Sequence, residues 1–596
     1  MCGIFGISVK DKSHNLKADL ARMGALLKHR GPDDEGFLID PLNGVFLGHK
    51  RLSIIDLSDK ARQPMFNEDK TIALLFNGEI YNYKDLKEQL IGKGHRFYSH
   101  TDSETIVHAY EQWGEDCVTQ LRGMFAFCIW DSRENKIILA RDHVGIKPLY
   151  YINNAEIFAF ASEVKAFLGL NKNIWQPRIN NDALEFLLIF PFIPDNQMTM
   201  LGGVNKLPAG HILIYKNKNV IIKKYWELDS PEENIDLEKA CLSLEHKLLE
   251  AVKLHLQADV PVGILLSGGI DSSLISALAS KVKPGDVHTF TVGYDHPWDE
   301  RPFAKQVARH INSSHTDINI NPAEINEKIE EVIWYFDDLT TLDGGIFSNY
   351  LISEKVKSYG VKVVLVGEGA DEVFGGYSWF GLSLLPFKVC PDFFRSALYH
   401  YAFTRVIFNK NIFKSISFLN GAINKFNEKD IFRKISRFEI EYQLPNNYLM
   451  KMDKATMAHS LEARVPYLDR EIVEFAYGLP REYKITGSWF NMKQAREKFI
   501  LRQIARKYLP PDIVTRKKRG FSVPVPEVLR SNMDKVRSYV LDRNGVARQF
   551  LQQKKLEKLF DFRDVKYSPL EKEKETLLWK FFIIEAWKRQ YLKFNN

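Results

Sequence analysis

Hydrophobic residues in the first third of the chain fall into short runs separated by turns. Runs at 72–76, 124–130 and 136–140 are rich in β-branched and aromatic residues, as strands are. Two stretches, at about 83–92 and 103–113, instead place apolar residues at helical spacing. This mixture predicts an α+β domain with stacked antiparallel sheets.

A second pattern begins after the polar, proline-containing stretch 229–234, which we interpret as a domain boundary. A helical repeat at 237–256 leads into an alternation of strands and helices, which predicts a parallel, doubly wound sheet. The predicted strands are 262–266, 287–292, 316–320 and 361–366, and the predicted helices between them include 272–282 and 300–311. Beyond about residue 377 the pattern is helical with no further strand. The predicted domains are therefore 2–226 and 235–596, the second with a helical carboxy-terminal extension.

Charge and cysteine content exclude several classes of protein. The 82 Lys and Arg residues exceed the 75 Asp and Glu residues by only 7 and are scattered, which argues against a nucleic-acid-binding surface. The five cysteines include no CxxC pair, so we do not expect a disulfide framework. We expect the protein to reside in a reducing compartment. Neither a signal peptide nor an apolar stretch long enough to span a membrane is visible. We expect a cytoplasmic protein without a membrane partner.

A glycine-rich loop, Ser267-Gly268-Gly269-Ile270-Asp271-Ser272-Ser273, follows the first predicted strand of the second domain and precedes a helix. In that setting glycines let backbone N–H groups approach phosphate oxygens, serines add hydroxyl donors, and the helix amino terminus favours negative charge. The loop is neither a Walker A nor a GxGxxG sequence. Taken alone it is also compatible with an ordinary glycine-rich turn.

A second loop strengthens the phosphate interpretation. The strand predicted at 361–366 ends in Gly367-Glu368-Gly369-Ala370-Asp371-Glu372, and parallel sheets bind ligands beyond the carboxyl ends of their strands. Asp271 and Asp371 would then lie where Mg²⁺, which prefers carboxylate and phosphate oxygens, could join them to a nucleotide. The simpler alternative is that the acidic residues only cap helices.

Cys2 is a candidate nucleophile. Removal of Met1 would give Cys2 a free α-amine, whose pKa of about 8 would let it act as the base for its own thiol. Asn77 and the N–H group of Gly78 lie at a predicted turn, where they could stabilise an oxyanion. Taken alone, Cys2 could also be a buried cysteine without a chemical role. Asn77-Gly78 alone could also be a simple hairpin turn.

Three charged residues near Cys2 in the same domain could hold a zwitterionic amino acid. Arg51 offers a two-pronged donor to an α-carboxylate, and Glu79 and Asp102 can accept hydrogen bonds from an α-ammonium group. Each signal is weak by itself, since most arginines form surface ion pairs.

Taken together, these residues resemble the glutamine-hydrolysing asparagine synthetases. The motifs that carry the resemblance occur in the family's order: CGIFG, HRGPD, RLSI, NGEIYN, TDSE, the run from Arg141 to Tyr150, SGGIDSS, GEGADEVFGGY and the run from Glu462 to Asp469. The resemblance extends from Cys2 to about Phe521. It implies an αββα amino-terminal-nucleophile glutaminase domain joined to an ATP-pyrophosphatase domain, with ammonia passing between them through an internal tunnel.

Site residues follow from the matching motifs. The resemblance implies that Cys2 attacks the glutamine amide and forms a thioester, that Asn77 and Gly78 stabilise the oxyanion, and that Glu368 and Lys518 assist at the acyl-adenylate and the α-phosphate. The implied glutamine-binding residues are Arg51, Leu52, Ser53, Ile54, Ile55, Asn77, Gly78, Glu79 and Asp102. The implied ATP-binding residues are Leu266, Ser267, Gly268, Gly269, Asp271, Ser272, Val292, Val366 and Gly367, with Asp271 and Asp371 as Mg²⁺ ligands. The expected partners are glutamine, ATP and a carboxylate acceptor, together with a second copy of the chain as a homodimer.

The acceptor is less securely implied, because one motif departs from the family. Typical members have an arginine one residue after a Thr-Thr pair, whereas here Thr340-Thr341-Leu342 is followed by Asp343-Gly344. Aspartate is the leading acceptor, and Arg464 is a candidate replacement for the missing arginine. The alternatives are the same chemistry on another carboxylate, such as a uronic-acid sugar or a natural-product acid, or a catalytically silent nitrogen or nucleotide sensor.

Overall fold

The structure is a computed structural model of the chain. It describes residues 1–11, 15–229, 231, 234–293, 299–321, 323–339, 344–384, 412–426, 428, 430–487, 496–516, 525–561 and 569–594.

Seventeen strands lie in the described residues: β1 Gly3–Val9, β2 Asp34–Asp40, β3 Val45–Arg51, β4 Met65–Phe66, β5 Ile72–Ile80, β6 Gly123–Asp131, β7 Lys136–Arg141, β8 Tyr150–Asn153, β9 Ile157–Ala161, β10 Asn205–Lys206, β11 His211–Lys216, β12 Asn219–Lys224, β13 Val262–Leu265, β14 His288–Gly293, β15 Ser314–Asn319, β16 Val363–Leu365 and β17 Glu462–Arg464.

The α-helices of the described residues are Lys17–Leu26, Tyr83–Gly92, Ser103–Trp113, Cys117–Gln120, Asn181–Ile189, Leu237–His255, Ile270–Val282, Arg301–His310, Ala323–Tyr335, Gly345–Lys357, Ala370–Phe374, Ile412–Asn424, Ile431–Phe438, Leu449–Met457, Arg470–Gly478, Arg481–Lys484, Phe499–Ala505, Pro511–Thr515, Val525–Ser531, Met533–Val540, Ala547–Phe550, Gln553–Lys558 and Pro569–Tyr591. A π-helix, Glu439–Tyr448, joins two of them.

The amino-terminal part contains two antiparallel six-stranded sheets, as predicted. Their strand orders are β10-β8-β9-β1-β3-β2 and β12-β11-β7-β6-β5-β4. Apolar side chains such as Leu47, Leu75 and Phe160 are buried between the two sheets, because alternate residues of each strand point inward. Helices cover both outer faces: Lys17–Leu26 packs on the first sheet, and Ser103–Trp113 on the second. This four-layer αββα arrangement confirms the predicted fold class.

The second sheet system is parallel, with strand order β15-β14-β13-β16-β17. Helices connect consecutive strands, which is the doubly wound arrangement predicted from the sequence. The helix Ile270–Val282 is largely buried, including three of its serines, and its apolar residues join the core of the parallel sheet.

One prediction about this sheet was wrong. The region beyond residue 377 was expected to be entirely helical, but Glu462–Arg464 forms the edge strand β17 beside β16. Three residues with two charged side chains give no recognisable strand periodicity. Pairing with β16 and full burial determine their conformation instead.

The carboxy-terminal helix Pro569–Tyr591 packs back onto the helix Ala323–Tyr335 in a large apolar cluster. Trp587 Nε1 donates a 2.7 Å hydrogen bond to the carbonyl of Asp337, which anchors this helix to the segment that follows Ala323–Tyr335. None of the helices in the described ranges is both long and apolar enough to cross a bilayer.

Candidate functional site

The predicted nucleophile lies at the start of β1, between the two antiparallel sheets. The Cys2 backbone N–H donates to Asn77 Oδ1 at 2.9 Å, and the Cys2 sulfur lies 4.0 Å from the carbonyl oxygen of Leu52. Burial raises the pKa of the Cys2 thiol. The thiol is therefore predominantly protonated, and an attack on a carbonyl carbon would need a nearby base.

Asn77 and Gly78, the two predicted oxyanion-stabilising residues, lie inside β5 next to Cys2. The turn predicted at these residues was wrong, because both pair with β6 within the sheet. Asn77 is fully buried, and its Nδ2 donor makes no hydrogen bond among the described residues. A side chain at Gly78 would collide with the backbone of Met124 and Phe125 on β6, so only glycine fits. An unsatisfied buried amide donor beside a thiol is the arrangement that stabilises a developing oxyanion.

Arg51 ends β3 and leads into the segment 52–55. Its guanidinium donates to the carbonyl oxygens of Ser58, at 3.1 Å, and Asp56. These contacts hold the Arg51 side chain against the loop that contains Asp56 and Ser58. The four following predicted residues lie between β3 and β4: Leu52 and Ile54 are buried, and Ser53 and Ile55 are partly exposed.

Glu79 and Asp102 are both buried in the same pocket. Burial raises the pKa of Asp102 to about 6. Hydrogen bonds from the Ile80 N–H, at 2.8 Å, and from Thr101 act in the opposite direction and lower it. Burial also raises the pKa of Glu79 well above its usual range, opposed by the positive charge of Arg464. The pocket therefore favours a cationic group that would neutralise the two carboxylates.

Arg464 reaches this pocket from the other half of the chain. Its guanidinium lies 3.0 Å from Glu79 Oε1 and 2.7 Å from Glu462 Oε1, and it also donates to the carbonyl oxygen of His255 at 2.8 Å. Glu462 in turn lies 3.2 Å from the amino group of Met1. Strand β17 thus brings two charges of the parallel sheet into contact with the pocket around Cys2.

A second contact between the halves involves the HRGPD motif. Arg30 Nε donates to the carbonyl oxygen of Cys2 at 3.0 Å, while its terminal nitrogens pair with Asp453 at 2.8 Å and Glu163 at 2.7 Å. All of these side chains are buried. Arg30 therefore holds the backbone at the nucleophile against a helix of the second half.

The predicted phosphate loop connects β13 to the helix Ile270–Val282. Gly268 adopts a φ of 71°, and a side chain there would collide with Ala304, so a glycine is required. Ser267 and Ser272 lie 3.0 Å apart through their hydroxyl oxygens, and the backbone N–H of Ser267 donates to Ser272 Oγ at 3.1 Å. The loop has the hydroxyl groups and the helix amino terminus that the phosphate interpretation requires.

The predicted metal ligands converge. Lys498 Nζ lies 2.6 Å from Asp271 Oδ2 and 2.7 Å from Asp371 Oδ1, so one cation reaches both carboxylates. These carboxylates raise the pKa of Lys498, overcoming the effect of its burial. Gly376 is close by, and a side chain there would overlap Asp371 and Lys498. Two carboxylate oxygens beside the glycine-rich loop are donors of the kind that Mg²⁺ prefers, and Lys498 Nζ lies between them in this structure.

The remaining ATP-site predictions lie at the ends of neighbouring strands. Leu266 follows β13, Val292 is near the end of β14, and Val366 and Gly367 follow β16. These strands are adjacent in the sheet, so the structure brings the residues to one edge. Glu368 lies in the turn after Gly367. The predicted α-phosphate ligand Lys518 falls outside the described residues.

Sequence analysis missed Lys498 as a site residue. Lys498 stands outside the recognised motifs, and its left-handed backbone, with a φ of 54°, could not be read from neighbouring residues. Such a conformation is costly for lysine and is retained where the surroundings require it. The sequence offered no local signal, because Lys498 directly follows two other charged residues, Arg496 and Glu497.

Comparison with known proteins identifies a family for each half of the chain. The family model described as "Asparagine synthase" matches residues 243–589, and the one described as "Glutamine amidotransferase domain" matches residues 1–226. The chain belongs to the asparagine synthase family. It is accordingly a carbon–nitrogen ligase of the asparagine synthetase type that carries a glutamine amidotransferase domain.

Several asparagine synthetases are similar over most of their length. Glutamine-hydrolysing asparagine synthetase 1 of Bacillus subtilis is 32% identical over 577 residues, which cover 90% of this chain and 89% of that protein. Synthetase 3 of the same species is 29% identical and covers 94% and 93%. Asparagine synthetase B of Escherichia coli is 31% identical over 540 residues and covers 88% and 82%.

Asp337 and Asp338 precede the motif in which this chain differs from typical asparagine synthetases, and both have structural partners. Asp337 pairs with Lys454 at 2.6 Å and accepts a hydrogen bond from the Lys165 N–H at 2.8 Å. Asp338 accepts a 3.1 Å hydrogen bond from the Met200 N–H. Both aspartates are buried and join the two halves of the chain. The residues of the departing motif itself, 340–343, lie outside the described ranges.

Proposed function

We propose that the chain hydrolyses glutamine at Cys2 and transfers the released ammonia to a carboxylate that the second site has activated with ATP, giving AMP and pyrophosphate. Aspartate is the proposed acceptor, and asparagine the proposed product. The observation that carries the proposal is the direct ion pair between Arg464 of the parallel sheet and Glu79 of the pocket around Cys2. Two sites joined in this way suit a reaction in which one site supplies the other.

In the glutaminase step, Cys2 attacks the side-chain amide carbon of glutamine, and the Asn77 amide and the Gly78 N–H stabilise the oxyanion. The Cys2 α-amine, once Met1 is removed, takes the thiol proton and returns it to the departing ammonia. Glu79 and Asp102 hold the glutamine α-ammonium group, and Arg51 binds its α-carboxylate. Water then hydrolyses the thioester to glutamate.

At the second site the acceptor carboxylate attacks the α-phosphorus of ATP and displaces pyrophosphate. The loop containing Ser267 and Ser272 binds the pyrophosphate oxygens, and Leu266, Val292 and Gly367 line the adenosine pocket. Asp271 and Asp371 would hold Mg²⁺, which when bound neutralises phosphate charge. Lys498 already bridges both carboxylates, and we propose that it contributes positive charge next to the departing pyrophosphate.

Ammonia then attacks the acyl-adenylate and releases AMP, with Glu368 placed to accept a proton. A carboxylate does not react with ammonia unless it carries a good leaving group, which adenylation supplies. Direct transfer between the sites avoids protonation to ammonium in bulk water and raises the effective ammonia concentration. The residues Arg464 and Arg30 hold the two halves together so that this transfer can occur.

The chemistry is tested with radiolabelled ATP, glutamine and aspartate. We expect AMP and pyrophosphate in equal amounts, together with asparagine; formation of ADP and phosphate would refute the mechanism. The variant Cys2→Ala should lose glutamine-dependent synthesis but keep synthesis from added ammonia. Loss of both activities in a folded Cys2→Ala protein would show that the two sites are not separable.

A second acceptor class is favoured by one observation, the replacement of the family's arginine by Asp343-Gly344. Arg464 does not compensate, because its guanidinium is bound by Glu79, Glu462 and a backbone carbonyl. A screen for acceptor-dependent pyrophosphate release should compare aspartate with uronic acids and other carboxylic acids. Faster turnover on aspartate would establish the primary proposal, and turnover only on another acid would replace it. Dimerisation remains a prediction for solution measurements.

A further inference from the structure

A cluster of two histidines and two glutamates lies on the outer, helical side of the amidotransferase half. Glu68 is in the turn between β4 and β5, His95 follows the helix Tyr83–Gly92, and His108 and Glu111 lie on the helix Ser103–Trp113. One donor atom each from Glu68, His95 and His108 lies within 4.8 Å of the others. The reaction proposed above uses none of these residues.

The inward-facing atoms are close to the separations that a tetrahedral ion requires. His108 Nδ1 is 2.9 Å from Glu111 Oε2 and 3.9 Å from Glu68 Oε2, and His95 Nδ1 is 3.6 Å from Glu111 Oε2. Zinc–ligand bonds of about 2.0–2.2 Å place tetrahedral ligand atoms roughly 3.3–3.6 Å apart. Of the six distances between the four ligand atoms, these three lie within a few tenths of an ångström of this range.

Both histidines have an acceptor on the opposite side of the ring. His95 Nε2 lies 3.4 Å from Gln112 Oε1, and His108 Nε2 lies 3.6 Å from Glu104 Oε1. At His95 this acceptor favours the tautomer that leaves the Nδ1 lone pair available, as is usual for metal-binding histidines. At His108 a metal ion would replace the 2.9 Å hydrogen bond between Nδ1 and Glu111 Oε2. His108 is fully buried, and its Nε2 has no hydrogen bond within 3.5 Å among the described residues.

The carboxylates are also held in position. The Arg96 N–H donates to Glu68 Oε1 at 3.2 Å, and Asn67 Nδ2 donates to Glu111 Oε1 at 2.8 Å, so in each carboxylate the other oxygen faces the histidines. Three glutamates, Glu68, Glu104 and Glu111, lie within 4 Å of the His108 ring nitrogens, so the local field favours a cation. The side chain of Glu68 is 47% exposed, which provides an entry path for an ion.

We propose that His95, His108, Glu68 and Glu111 form a binding site for a divalent transition-metal ion of the zinc class. Two imidazole nitrogens and two carboxylate oxygens match the borderline ligand preference of Zn²⁺ rather than the all-oxygen preference of Mg²⁺ or Ca²⁺. The ion joins three segments that are separate in sequence. One of them is the helix that begins directly after Asp102, so bound metal stabilises the wall of the glutamine pocket.

The test uses the full-length chain in a Cys2→Ala background, which removes the thiol of the pocket around Cys2 as a competing zinc ligand. The protein is first treated with a chelator and then dialysed against Zn²⁺. Metal analysis should find one more zinc per chain after dialysis than after chelation, and calorimetric titration should give the affinity for Zn²⁺. His95→Gln and Glu68→Gln should each weaken Zn²⁺ binding by roughly tenfold or more. The matched control is His246→Gln, at an exposed histidine of the helix Leu237–His255, and it should bind as the background does.

Thermal unfolding gives a readout that does not depend on activity. Zn²⁺ should raise the melting temperature of the background and of the His246→Gln control, and should raise it less in His95→Gln. Absence of zinc from the background protein would overturn the proposal. Unchanged affinity in both His95→Gln and Glu68→Gln would overturn it as well, because the ion would then be bound elsewhere.

Discussion

Arg464 provides the sharpest test of how the two halves cooperate. Its guanidinium is fully buried and pairs with Glu79 at 3.0 Å, across the boundary between the amidotransferase pocket and the parallel sheet. In Arg464→Met the carboxylate of Glu79 loses its main compensating charge. Burial already raises the pKa of this carboxylate in the wild type. In the variant the pKa of Glu79 rises further, which weakens its attraction for the ammonium group of glutamine.

The size of the effect follows from the burial of this contact. A hydrogen bond to a charged group contributes about 1.5–3 kcal/mol, which corresponds to roughly 10- to 150-fold in kcat/KM for glutamine hydrolysis. Glu79→Gln should cause a loss of similar size, because it removes the same negative charge. In the double variant the second substitution should add little, so the coupling energy should also be about 1.5–3 kcal/mol.

The assay measures glutamate release by the wild type, both single variants and the double variant, with ammonia-dependent synthesis measured in parallel. Arg309→Met, at an exposed arginine of the helix Arg301–His310, controls for the loss of one positive charge. Circular dichroism establishes that each variant folds, and Arg464→Lys serves as a second variant if Arg464→Met does not. Strictly additive losses in kcat/KM would refute the reasoning, because Arg464 would then act independently of Glu79.

Three further predictions concern other parts of the two sites. Gly376→Ala should abolish acceptor-dependent pyrophosphate release while sparing glutamine hydrolysis, because the added methyl group would overlap the Asp371 carboxylate. The KM for glutamine should rise about tenfold per pH unit below pH 6, because the pKa of about 6 leaves Asp102 protonated and uncharged there, and Asp102→Asn should remove this dependence. Asp453→Asn should lower the free energy of unfolding by about 3 kcal/mol in chemical denaturation, since it leaves Arg30 buried with one carboxylate fewer.

Each of these expectations has a contrary outcome. Normal pyrophosphate release by Gly376→Ala would show that the backbone at this position can move without disturbing the carboxylates of Asp271 and Asp371. A glutamine KM that is flat between pH 5 and 7 in the wild type would mean that the buried aspartate does not control binding. An unfolding midpoint in Asp453→Asn equal to that of the wild type would show that the arginine finds another partner at the interface.

Local patterns in the sequence predicted several helices and strands correctly. The helices Tyr83–Gly92 and Ser103–Trp113 begin and end where the apolar spacing indicated, and the strand–helix alternation produced the parallel sheet. These features depend on side chains three or four positions apart, or on alternate positions, and so are visible in a short window. The glycine loop after β13 was visible for the same reason.

The contacts that connect the two sites depended on tertiary structure. Arg464 meets Glu79, Arg30 meets Asp453, and Lys498 meets Asp271 and Asp371 only because folding brings distant segments together. Nothing near these residues in the chain marks their partners, since a charged side chain has the same local signature on a surface as in a buried pair. The sequence by itself determined which chemical groups the protein carries and on which elements they lie. Packing decided which charges face one another, because the cost of burying an ion must be offset by a partner that only the folded chain supplies.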